Sequence, residues 1–117
     1  MRTLFILNDA PYGAERPYNA LRLANALAHE PEQEIRLFLM GDAVFVAKRG
    51  QKPPGGFYNL QVMLNKIIRL APERVDVCGV CMDARGMSDE ELIPGTQRGA
   101  IEKLAYWTNW ADKALTF

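Results

Sequence analysis

Two cysteines, Cys78 and Cys81, stand apart by Gly79 and Val80 and are the residues of this chain best suited to covalent chemistry. A CxxC can hold a metal, exchange thiol for disulfide, carry a transferable group, or lie inert in a core. A structural zinc site wants four ligands, and this sequence has no second cysteine pair and one histidine, His29, so no metal is expected. In thioredoxin-like sites the pair opens a helix, whose N-terminus lowers the first thiol's pKa. Here Cys78 closes an apolar run and Gly79 follows, the pattern of a strand end. Both thiols could pack as small hydrophobes. Arg85 argues otherwise, because a guanidinium and free backbone N–H groups both favour the nucleophilic thiolate.

A second polar cluster runs from Asn8 to Arg16 and contains Asn8, Asp9, Tyr12 and Arg16. Asn, Asp, Pro and Gly are ordinary turn formers, so Asp9 and Pro11 read first as structural. Tyr12 and Arg16 suit a turn and a binding site equally. Gly41 and Asp42 form a third short loop. Phosphate-cradling motifs are absent: no GxGxxG follows a strand and no GxxxxGK[ST] occurs. A Ser-His-Asp triad is hard to build around the one histidine at a helix end.

The elements that must position these residues alternate. Apolar runs near residues 2–8, 34–40 and 74–78 predict buried strands, and residues 113–117 predict a closing one. Between them, Ala20, Leu23, Ala24, Leu27 and Ala28 mark a helix over about 14–29. Phe57, Leu60, Leu64, Ile67 and Ile68 mark another. Asp42 can cap a short helix over 43–48. Ser88 with Glu91 has the capping-box spacing of a short helix start. A last helix is expected over about 97–111, with Ile101, Leu104, Ala105 and Thr108 on one side and Tyr106, Trp107 and Trp110 roughly opposite. A helix apolar on both sides is buried on both, so a second subunit is expected to cover the aromatic side. Alternation of strand and helix implies an α/β fold: a three-layer α/β/α sandwich around a parallel sheet of about four to five strands. Reactive groups gather outside the carboxyl ends of such strands, which predicts that the loops at Asn8, Gly41 and Cys78 share one edge.

Composition bounds the rest. The chain has 117 residues, 49% hydrophobic and 24% charged, the profile of one ordinary globular domain spanning 1–117. Fourteen basic and 14 acidic residues cancel, so neither nucleic acid nor a membrane surface is an expected partner. The apolar segment Leu4–Leu7 is too short for a membrane span or a signal peptide, so a reducing cytoplasmic location is expected.

Four stretches carry a resemblance to a known family: Leu4–Leu7, Asn8–Ala24, Phe38–Val44 and, most specifically, Cys78-Gly-Val-Cys-Met-Asp-Ala-Arg-Gly86. Together they resemble the DsrE/DsrF-like proteins over nearly the whole chain. The resemblance implies a DsrEFH-like fold, a homo-oligomer (trimer or hexamer), and no cofactor. Members related to the sulfur-relay subunits pass persulfide sulfur through a cysteine seven residues before the arginine of an Arg-Gly pair. That spacing selects Cys78 with Arg85 and Gly86, and leaves Cys81 as an addition to the pattern. The function so implied is a sulfur carrier or sulfurtransferase component working between donor and acceptor proteins. Its rivals are a dithiol redox sensor using the same pair, and an oligomeric small-ligand module whose pocket is lined from Asn8, Tyr12 and Gly41.

Overall fold

The three apolar runs form strands where their composition predicts. In the computed structural model, which describes residues 1–117, they are β1 (Arg2–Leu7), β2 (Glu34–Leu39) and β3 (Val75–Cys78). The C-terminal run forms β5 (Lys113–Thr116). A further strand, β4 (Gln97–Gly99), completes one five-stranded sheet in the order β4-β3-β2-β1-β5, with every neighbouring pair parallel. The helices are α1 (Arg16–Ala28), α2 (Leu60–Leu70), α3 (Gly79–Ala84) and α4 (Ile101–Trp110). Right-handed crossovers put α1, α2 and α3 on one face, because β1 to β4 advance in one direction. The return from β4 to β5 puts α4 on the other face. None of these helices is long and apolar enough to cross a membrane.

The α1–α2 side of the core joins Phe5, Leu7, Leu37, Leu39, Val75 and Val77 of the sheet to Ala20, Leu21 and Ala24 of α1 and Leu60, Leu64 and Ile67 of α2, all buried. Complete burial of a Leu or Phe side chain contributes roughly 1.5–3 kcal/mol, so this layer dominates the stability of the fold. Leu23, expected inside, is exposed, and Leu21 takes its place. Pro17, Ala20, Leu21 and Ala24 make the tighter stripe at three-to-four spacing, which sets the rotation of α1. Asp42 does not cap the turn that follows β2. Residues Gly41–Ala47 form a 3₁₀ helix started from Met40, and the Asp42 carboxylate turns instead to Arg85. The capping box at Ser88 and Glu91 forms as expected, opening a 3₁₀ turn over Asp89–Glu91.

The segment expected as one helix over 97–111 divides in two. Gln97–Gly99 pair with Asp76–Cys78, and the helix starts only after Ala100. The cause is Asp76, whose side chain is buried in the centre of β3 and needs partners. Gln97 Nε2 donates to its Oδ1, and Lys103 Nζ lies 3.3 Å from its Oδ2. A Cβ on Gly99 would lie 2.7 Å from that Oδ2, so only glycine lets β4 close over the carboxylate. The aromatic side of α4 is also corrected. Trp107 is 2% exposed, with Leu104 beside it, while Ala105 and Thr108 face outward. Its ring meets Phe38 edge-on at 6.2 Å, and the Arg36 guanidinium lies 4.0 Å over Trp110 and 5.4 Å over Trp107. Burial of the larger indole outweighs burial of Ile101, which is 58% exposed. Tyr106 remains outside at 66%.

Candidate functional site

Cys78 ends β3 and is also the residue that caps α3, so the CxxC opens a helix after all. The helix is six residues long, and the Cys81 N–H donates to the Cys78 Sγ at 3.3 Å. The helix is short because it closes at once. Gly86, at φ +65°, donates to the Asp83 carbonyl and Met87 donates to that of Met82, the paired bonds that end a helix on a left-handed residue. Gly79 is required for a separate reason. The Arg98 side chain lies across it, and a Cβ there would sit 2.8 Å from Arg98 Cγ. Arg98 then ties the turn down: Nη1 donates to the Gly79 carbonyl and to Asp83, each at 3.0 Å, and Nε donates to Asp89 at 2.8 Å. Arg98 was not selected from the sequence, where it reads as one more surface arginine. A glycine directly after the first cysteine was the only signal that something must pack closely there.

The sheet order gives this place chemical importance. The chain leaves β3 toward the α1–α2 face and leaves β4 toward the α4 face, so the carboxyl ends of these two strands form a topological switch point, the kind of place where open α/β sheets bind ligands. Cys78 pairs in register with Gly99 at that point.

The other expected site residues divide into two groups. Asp42, Arg85 and Cys81 come together: Arg85 Nε donates to Asp42 Oδ1 at 3.0 Å and Nη1 donates to the Cys81 carbonyl at 3.1 Å. Asn8 and Gly41 are neighbours on the same edge, where a Cβ on Gly41 (φ +56°) would lie 3.4 Å from the Asn8 carbonyl oxygen. Asp9 and Arg16 pair with each other at 3.5 Å within their own loop. Tyr12 leaves the group, its hydroxyl accepting the Leu60 N–H at the start of α2 at 3.1 Å and its ring stacking on Tyr58. It lines a shallow cavity of about 470 Å³ with Gln51, Lys52, Pro53, Pro54 and Phe57, in which Asn8 and Gly41 take no part. Gly86 serves as the helix stop described above.

Both cysteines are free thiols, Cys78 buried and Cys81 half-buried. Burial above all pushes the Cys78 thiol up, and the neighbouring Cys81 side chain adds to this. The Cys81 and Val80 N–H groups pull the other way without prevailing. The expected low thiol pKa is therefore absent in the resting protein, and Arg85 is occupied by Asp42 and the Cys81 carbonyl. The arrangement is that of a protected Cys78 thiol beside a more open Cys81.

The family model described as "DsrE/DsrF-like family" matches residues 1–117. The chain belongs to the DsrE/DsrF-like family. Among its relatives is Protein YchN of Escherichia coli, 47% identical over 117 residues, which cover 99% of this chain and 98% of that protein. The crystal structure of that Escherichia coli protein superposes with a TM-score of 0.91, again covering 99% and 98% of the two chains. More distant is Sulfurtransferase TusD of Salmonella arizonae, 26% identical over 128 residues and covering 100% of both chains. Protein TusC homolog of Vibrio parahaemolyticus is 26% identical over 117 residues, covering 97% of this chain and 96% of that one. This DsrE/DsrF-like chain thus has a YchN-like fold, with a sulfurtransferase and a TusC homolog among its more distant relatives.

Proposed function

We propose that this DsrE/DsrF-like protein is a sulfur carrier, a sulfurtransferase component that holds sulfane sulfur on the Cys78–Cys81 pair. The observation that carries the reading is the pair's position: two free thiols at the carboxyl end of β3, beside the switch point between β3 and β4, in a family with a sulfurtransferase among its distant members. In the carrier step a thiolate attacks the outer sulfur of a donor persulfide, R–S–SH. A new sulfur–sulfur bond forms, the donor's bond breaks, and R–S⁻ leaves with the electron pair. Delivery is the same exchange with an acceptor thiolate as the attacker, so nothing is oxidised overall. In this reading Cys78 is the holding thiol, and Arg85 positions α3 through the Cys81 carbonyl. The partners are a donor and an acceptor protein, and the chain works as a trimer or hexamer in a reducing compartment.

A dithiol redox sensor is the second reading, favoured by the placement of two free thiols on one turn, with the Cys81 N–H 3.3 Å from the Cys78 Sγ. Incubation with glutathione persulfide, alkylation, and mass spectrometry separate the two. A carrier gains the mass of a sulfur atom on one thiol even when the other is serine. A redox switch loses its response with either thiol replaced and gains no sulfur. An oligomeric ligand-binding module keeps its function with both thiols replaced.

A further inference from the structure

The two thiols differ in reach. Cys78 is 8% exposed, whereas Cys81 is half-buried and Val80 between them is 79% exposed, so the open side of the turn belongs to Cys81. A persulfide donor must bring its outer sulfur into line with the attacking sulfur, which a thiol beneath the turn does not permit and one on its rim does. The connection inward already exists. The Cys81 N–H donates to the Cys78 Sγ at 3.3 Å, so the two thiols belong to one turn. Arg98 and Arg85 hold the turn from both ends, through the Gly79 and Cys81 carbonyls.

The geometry points to a two-station relay within the carrier: Cys81 is the port at which sulfur enters, and Cys78 is the internal store to which it passes. This inference rests on the carrier reading above. Donor R–S–SH first gives Cys81–S–SH and R–SH. Cys78 Sγ then attacks the outer sulfur. The bond from that sulfur to Cys78 forms, its bond to Cys81 Sγ breaks, and Cys81 Sγ takes the electron pair and the proton that Cys78 gave up. One sulfur–sulfur bond replaces another, and no outside oxidant or reductant is needed. A thiol pushed up by burial is a strong nucleophile once ionised and a poor leaving group, so sulfur that reaches Cys78 is held until an acceptor protein's thiolate takes it. Burial also hides the outer sulfur from small thiols in solution.

The test is time-resolved loading of the intact chain with glutathione persulfide, quenched by alkylation. Both cysteines lie in one tryptic peptide, Val75 to Arg85, so fragmentation of that peptide assigns the extra sulfur. In the unmodified chain the sulfur is expected first on Cys81 and then on Cys78. C81S is expected to load Cys78 about tenfold more slowly, since exchange rates depend on access. C78S is expected to keep its sulfur on Cys81 and to lose it to added glutathione faster than the unmodified chain. Sulfur appearing first on Cys78, or C81S loading at the unaltered rate, overturns the relay and leaves the carrier standing. Sulfur on neither thiol of the unmodified chain overturns the carrier reading and the relay with it.

Discussion

Asp76 sits in the middle of β3 with its carboxyl buried, two residues before Cys78. Burial raises its pKa, and the hydrogen bond from Gln97 and the charge of Lys103 oppose this without cancelling it. The sign of the consequence follows from proton binding. Between the ordinary carboxylate value of about 3.9 and the higher folded value, the native state binds more protons than the unfolded chain. The contribution of Asp76 is therefore greatest in acid and declines as pH rises through that window. Denaturant midpoints measured from acid to neutral pH should show this decline, and Asp76→Asn should flatten it; an unchanged slope would remove Asp76 as its source. At this scale the reactive pair was legible in the sequence, because cysteine chemistry follows from residue type and spacing. The reach of Arg85 was not. Asp42 and the Cys81 carbonyl compete for its guanidinium, and a competition between partners far apart in the chain is decided in space.

α3 exists through its two ends. Cys78 caps one and Gly86 stops the other, and Arg98 clamps the first turn to Asp83 and Asp89. Gly86 has φ +65° and nothing within 4 Å of where a Cβ would be, so its requirement is purely conformational. Gly86→Ala should therefore cost about 1 kcal/mol, with Gly86→Asn costing less, because Asn tolerates the left-handed region. Urea unfolding of the two variants checks this; equal, negligible losses would show that the helix stop does not depend on the glycine. The Arg-Gly pair therefore has a structural task at Gly86 besides any role of Arg85. Sequence patterning located β1, β2 and β3 because buried parallel strands are continuous apolar runs, and it located β5 as well, although that edge strand is mostly exposed. It missed β4, where Gln97-Arg98-Gly99 has no apolar residue and is a strand only because Asp76 and the β3 edge need what it supplies.

Over the whole molecule, the sheet face under α4 has one long helix to cover it, while α1 and α2 share the other. With Trp107 drawn into the core, the apolar residues left outside on α4 are Ile101 and Tyr106, and Trp110 is half-buried under Arg36. Large exposed apolar groups such as Ile101 and Tyr106 are a reason to expect a neighbouring subunit. Light scattering at micromolar concentration should return a trimer or hexamer rather than the 13.2 kDa of one chain. Tyr106→Glu should shift the distribution toward smaller species while leaving the helical signal intact. A mass near that of one chain for the unaltered protein would refute the assembly.

The amino-acid sequence by itself determined the α/β class, the parallel sheet and the edge on which the cysteine pair lies. Those follow from hydrophobic periodicity and from the handedness of crossovers, both local or generic rules. Tertiary structure alone decided which side of α4 is buried, which acceptors hold Arg85 and Arg98, that Tyr12 serves α2, and that Cys78 is buried while Cys81 is half-buried. Each of these is a competition for burial or for a hydrogen-bond partner between residues distant in sequence. The outcome is set by the space left once the sheet has closed.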